Sequence, residues 1–258
     1  MAAPFRTYLD LTNTLIRELN EVELTSSNFS RSALGIQKYI KDAINRAYFD
    51  ICNAEDKWSF LSAGDPSNNY YGNTYIETSS GTRWYDLRSA QTILNEYSFI
   101  DWDNMVVTEE GVSGKSAPYE IHKLSPLSLS SWQRTHGISE ARDKSDTQSY
   151  GIPRRVIRVP ENNKLGLSPI PDGVYRIYFY AYTQPTELSA HGDTVVFPKQ
   201  YTSVLLAKAR YYIHQFKDNM SQAQLADVEF QNGLRTMREQ LLEPFPVIMD
   251  DRRSFYVL

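Results

Sequence analysis

The sequence predicts an α+β protein: a four-helix bundle built from an N-terminal and a C-terminal helix pair, a β-rich insertion of sandwich or barrel type between them, and an extended C-terminal tail. Three observations predict it. Apolar residues recur every three or four positions near both ends. Short alternating runs, broken by Gly, Pro, Asn and Ser, fill the middle. Beyond residue 243, Pro244 and Pro246 stop the helical pattern while the chain stays rich in apolar residues. The expected bounds are 1–57 and 187–243 for the two halves of the bundle, 58–186 for the insertion and 244–258 for the tail.

In chain order, TYLDLTNTLIRELNEV places Leu11, Leu15, Leu19 and Val22 at helical spacing, with Tyr8 extending the row. The polar break TSSNFSRS follows. A longer helix then carries Ile36, Tyr39 or Ile40, Ala43, Ala47 and Ile51 on one face, with Ser32 as its N-cap. After Trp58 the composition changes. GDPSNNYYGN is turn-rich, and TYIETSSGTRWYDLRS reads as two short strands around a Ser-Ser-Gly turn. IDWDNMVVT and APYEIHKL are further short strands, LSPLSLSSWQRTHG predicts a short helix after Pro126, and EARDKSDTQSYG reads as a loop.

From Pro153 the strand pattern strengthens. RRVIRVPEN and KLGLSPI form a hairpin across Glu161-Asn162-Asn163. Pro171-Asp172-Gly173 turns the chain into VYRIYFYAYT, because Pro presets φ and Gly accepts a positive one. Alternation puts Val174, Arg176, Tyr178, Tyr180 and Tyr182 on one face and Tyr175, Ile177, Phe179 and Ala181 on the other. Both faces are apolar or aromatic, so one is expected to meet the core and the other a neighbour or a second sheet. Pro198 then opens a helix with Leu205, Ala209, Tyr212, Ile213 and Phe216 in one stripe. After a break at 217–221, a last helix carries Ala223, Ala226, Phe230, Leu234, Met237 and Leu241.

Composition narrows the function. The 258 residues are 41% hydrophobic and 22% charged, ordinary globular values, and a chain this long buries roughly 70–75% of its unfolded surface. With 27 basic and 31 acidic side chains intermixed, the net charge of −4 argues against a dedicated nucleic-acid binder. It still allows a surface that DNA passes without sticking. The single cysteine, Cys52, permits no intrachain disulfide, as suits a reducing compartment. No signal peptide and no transmembrane helix is expected, so the sequons at Asn28 and Asn219 are expected to be inert. The 18 Tyr, 11 Phe and 4 Trp fit either Tyr-rich strands or a large permanent interface.

Chemical motifs are sparse. Gly114-Lys115-Ser116 looks like the end of a phosphate-binding loop, but Glu109 stands where its first Gly belongs. His122, His136, His191 and His214 show no ligand spacing, so neither metal nor cofactor is expected. Asp101 and Asp103 are the one candidate pair of carboxylates, otherwise expected on an exposed edge strand or turn. Arg154, Arg155 and Arg158 cluster at a strand start and suit intersubunit salt bridges. Phe245, Val247, Ile248, Met249, Phe255, Tyr256, Val257 and Leu258 give the tail too much apolar surface to hang in water. It packs back on its own domain or docks on a partner, and an extended segment suits groove insertion or strand addition.

The order Gly151-Ile-Pro153, Leu165-Gly-Leu-Ser-Pro169, Pro171-Asp-Gly173, Tyr175–Tyr182, Pro185-Thr-Glu-Leu188 and Phe197-Pro198 before a helix pair resembles the head-to-tail adaptor proteins of tailed bacteriophages, including the tail tubular protein A group of short-tailed phages. The likeness covers about 151–240 by motif and 58–150 by topology. It implies a structural virion protein without catalytic residues. It further implies a dodecameric ring at the head–tail junction, assembled in the bacterial cytoplasm, that joins the portal to the tail nozzle or tube and passes double-stranded DNA through its lumen. In that reading Phe245, Val247, Ile248, Met249, Phe255, Tyr256 and Leu258 dock on the portal, while Tyr178, Tyr180, Tyr182, Arg154 and Arg155 meet neighbouring subunits. Tail fibres are a further possible partner. The alternatives are a tail-tube, nozzle or fibre-attachment protein, or a polysaccharide hydrolase using Asp101 and Asp103, whose carboxyls would need a separation of ~5–9 Å.

Overall fold

The computed structural model describes residues 6–31, 35–63, 72–87, 97–109, 119–137, 150–159 and 164–242, and among them five α-helices and eight strands in a mixed α+β chain. Two compact units divide it: Met1–Ile51 with Glu187–Leu258, and Cys52–Thr186.

In the first unit, Thr7 starts α1 (Tyr8–Glu18) with a capping box: its side chain accepts from the Asp10 N–H, and Asp10 accepts from the Thr7 N–H. Leu11, Leu15 and Ile16 are buried, as the spacing requires. The helix stops earlier than expected, at Glu18. Asn20 takes a positive φ of 58°, and the Asn13 amide clamps both the N–H and the C=O of Leu24 at 2.8 Å. Val22 therefore leaves the apolar row and is 79% exposed. The expected cap Ser32 lies outside the described residues. Helix α2 (Gly35–Cys52) buries Ile40, Ala43, Ile44, Ala47, Tyr48 and Ile51. Its Asn45 side chain bonds the N–H and C=O of Leu188, pinning the point where the chain re-enters this unit.

Two further helices complete the unit: α4 (Thr202–Phe216), after a 3-10 turn at Lys199–Tyr201, and α5 (Met220–Leu241), capped by Asn219. They pack closely at Gly233, where a Cβ would lie 2.6 Å from a Val204 methyl. Arg210 joins three helices, forking onto Glu18 of α1 at 2.6 and 2.8 Å and reaching Glu229 of α5 at 3.7 Å. Tyr39 donates to the Tyr212 carbonyl, and the Tyr212 hydroxyl donates to Asp50.

In the second unit, one sheet has the order β1-β8-β3-β4, with β1 (Thr74–Glu77), β3 (Tyr97–Glu109), β4 (Tyr119–Lys123) and β8 (Arg176–Thr183), all antiparallel. The other has the order β2-β7-β6-β5, with β2 (Trp84–Asp86), β5 (Ser125–Ser128), β6 (Arg155–Arg158) and β7 (Lys164–Ser168); β5 and β6 run parallel. Met105, Val107, Ile177 and Phe179 from the first sheet share one core with Val156, Leu165 and Leu167 from the second. Strands β6 and β7 pair antiparallel, Arg155 with Ser168, as the expected hairpin requires; its turn, Glu161-Asn162-Asn163, lies outside the described residues. The two short strands flanking Ser79–Gly81 pair into different sheets rather than with each other. The Trp84 ring packs against Gly166, where a Cβ would be 2.4 Å from it. Between β4 and β5 the chain crosses from one sheet to the other through the buried Leu124 alone, whose N–H donates to Met105. Pro126 sits inside β5, so the expected short helix begins later, as α3 (Leu129–Trp132) followed by a π turn.

Candidate docking surfaces

Strand β8 places its side chains by the pairing of its neighbours. Ile177, Phe179 and Ala181 are fully buried in the core. On the opposite face the expected tyrosine row is split. Tyr178 is 1% exposed, with its ring 5.3 Å from that of Tyr75, its cross-strand partner on β1. That burial removes Tyr178 from any surface offered to a neighbouring subunit. Tyr180 is 42% exposed, and Tyr182 is half-buried beside Phe99. Arg154 is exposed and Arg155 half-buried at the start of β6, and among the described residues neither forms an ion pair. Phe245, Val247, Ile248, Met249, Phe255, Tyr256 and Leu258 lie outside the described residues.

Asp103 is exposed, as expected of an edge or turn, but Asp101 is buried. IDWDNMVVT belongs to a thirteen-residue strand, β3, which lies between β8 and β4. Asp101 pairs with Tyr180 and Val106 with Tyr178, so residues 102–105 bulge out against the single residue Phe179. Asp101 holds the bulge. Its carboxylate accepts from Lys57 Nζ and Asn104 Nδ2, both at 2.8 Å, and from the Asp103 N–H at 3.3 Å. Burial alone would raise the Asp101 carboxyl, but the Lys57 ammonium and the Asn104 amide outweigh it and hold the group below the usual carboxylate range.

The bulge forms one wall of an open cleft of about 930 Å³ in this unit. Tyr97–Asp103, β5, α3, Arg158 and Gln184 line it. Trp102 packs partly against the core with the Arg158 guanidinium 5.7 Å from its ring centre. Periodicity does not reveal the cleft: the bulge breaks strand alternation, and Trp102 reads as one more core residue.

The helical unit has a surface of another kind. Phe216, expected in the buried stripe of α4, is 58% exposed and stacks on Tyr39 at 4.2 Å. Leu225 and Val228 of α5 are about 60% exposed, on the side away from the buried Ala223, Ala226 and Phe230. The sequence does carry a sign of them, since they fall outside the three-and-four stripe that buries the rest. Charges around them are matched within the unit, Asp227 by Lys208 and Glu229 by Arg210. Uncharged apolar surface of this type is what interface centres use.

Among the described residues, no group of three or more His, Cys, Asp and Glu side chains could hold a metal ion, and no helix is long and apolar enough to cross a membrane. Compared with known families, residues 6–253 match the SU10 adaptor protein. The chain belongs to that family. It is therefore a phage adaptor, a structural protein associated with other phage head and tail proteins. No curated protein matches the adaptor. The family covers the β unit as well as the helices, so the split tyrosine face, the bulge and the cleft belong to the adaptor itself rather than to an appended domain.

Proposed function

We propose that this adaptor forms a ring, of twelve copies on the resemblance to tail tubular protein A, that joins the portal to the tail nozzle or tube and lets DNA pass through its lumen. The observation that carries the reading is the family match over nearly the whole chain, together with apolar surface that one subunit leaves exposed on both of its units: Phe216, Leu225 and Val228 on the helices, and Trp84 and Tyr180 on the sheets. A ring subunit needs two different lateral faces, each covered on assembly. The mildly acidic chain suits a lumen that does not hold DNA. The helix pairs, read as one four-helix bundle, carry the β unit as an insertion. The C-terminal segment, with its apolar side chains, is the arm by which a subunit grips a partner. The adaptor assembles in the host cytoplasm and acts at the head–tail junction without catalysis. Against the hydrolase reading, the Asp101 carboxylate is already engaged by Lys57 and Asn104.

Electron microscopy of purified adaptor mixed with portal rings tests this. A ring of density added to one end of the portal is expected. Portal rings that stay bare at micromolar adaptor would overturn the reading, as would polysaccharide cleavage that disappears in Asp101→Asn, Asp103→Asn protein.

A further inference from the structure

We infer that the cleft of the β unit takes an extended strand, and that the strand is the C-terminal segment of a second copy of this chain. The inference rests on the adaptor being an oligomer. Two strand edges border the cleft. Residues Tyr97–Asp101 of β3 pair with β8 on one side only, because β4 joins β3 from Val106 onward, beyond the bulge. On the other wall, β5 is the outer strand of its sheet and pairs with β6 alone. Among the described residues no strand lies along either edge. The β3 edge presents backbone N–H and C=O groups that another extended backbone can meet, while β5, with Pro126 inside it, offers one donor fewer; a helix has already used its own. The chemistry of the cleft therefore selects a strand.

Its side chains specify more. Phe99, Trp102 and Leu127 supply apolar and aromatic wall, and Asp103 and Arg158 supply one charge of each sign. The chain's own last residues have the matching features. Ser254-Phe255-Tyr256-Val257-Leu258 holds no charged side chain and no proline, is rich in strand formers, and equals Tyr97–Asp101 in length. Just before it, Asp250-Asp251-Arg252-Arg253 offers counter-charges to Arg158 and Asp103. Pro244 and Pro246 prevent α5 from continuing, and the residues after Leu242 can reach roughly 50 Å when extended. A tail from one subunit in the cleft of the next is a heterologous contact, the kind that closes rings.

Disulfide trapping between full-length chains tests the inference. Chains carrying Leu258→Cys are mixed, under mild oxidation, with chains of different tagged mass carrying Ser130→Cys, an exposed position lining the cleft. Cys52 is 2% exposed and does not compete. The expected result is a mixed dimer at least tenfold more abundant than with Thr236→Cys, an exposed control on α5. Filling the cleft with Gln133→Trp in the Ser130→Cys chain is expected to cut the yield at least tenfold. Equal yields at the cleft and control positions would overturn the site. A bond that forms only in a double variant carrying Leu258→Cys and Ser130→Cys in one chain, and never between the two single variants, would overturn the second copy as occupant. Capture of Leu258→Cys on added portal rings in place of the mixed dimer would also overturn it. The ring itself stands or falls separately, on the micrographs described above.

Discussion

The helical unit and the β unit bury their cores by different means. In the helical unit each element declares its own buried face. Leu11 and Leu15, then Ile40, Ala43 and Ala47, then Leu205, Ala209 and Ile213, then Ala226, Phe230 and Leu234 are all buried at the spacings the sequence shows. In the β unit, burial depends on which distant strand becomes a neighbour. Thr74 pairs with Phe179 and Trp84 with Gly166, although the strands β1 and β2 are close in sequence. The difference teaches that a repeat within one element is local information, while strand pairing is settled only when the whole sheet closes.

The largest expected effect tests whether the two units are independent. Phe179→Ala empties the shared core of both sheets and is expected to cost the β unit about 3–5 kcal/mol. In calorimetry one transition should fall while the helical transition stays; a joint fall of both would break the comparison. The reciprocal change is Gly233→Leu, which forces a side chain into the 2.6 Å approach to Val204. A loss of about 1–3 kcal/mol confined to the helical transition is expected.

Asp101→Asn sharpens the contrast between regular pairing and the bulge. Replacing the carboxylate that receives Lys57 and Asn104 should cost the β unit about 1–3 kcal/mol in urea titrations at pH 7. The folded-state pKa of Asp101 is depressed, so its contribution is present above the unfolded value of about 4 and is lost as pH falls through the folded value. The gap between wild type and variant should therefore close on acidification below about pH 4. A gap that persists unchanged well below about pH 4 would show that the charge does not hold the bulge. The smallest effect is at the start of α1. Thr7→Ala removes the cap and is expected to cost about 1 kcal/mol, again on the helical side alone.

Part of the candidate surface was legible in the sequence. The apolar character of both faces of 174–183 showed that β8 is a strand with two apolar faces, but it did not distinguish the buried Tyr178 from the exposed Tyr180. That distinction comes from Tyr75, which stands opposite Tyr178 on another strand. Asp101 and Asp103 were visible as a close pair, while the ion pair to Lys57 needed a contact across 44 residues. Leu225 and Val228 could be recognised by their position off the buried stripe, because a helix fixes which residues share a side.

By itself the sequence determined the four long helices and most of their buried stripes, Val22 and Phe216 being the exceptions, the antiparallel β6–β7 pair and the α+β class, since each follows from spacing and proline over a few residues. It also carried enough ordered motif to resemble a phage adaptor. Tertiary structure alone decided the division of strands between two sheets, the four-residue bulge that breaks β3, the burial of Tyr178 and the cleft with its two strand edges. The physical reason is that strand side chains obey a period that any neighbouring strand satisfies. Which neighbour is present, and where pairing stops, is fixed by the free energy of closing the whole sandwich.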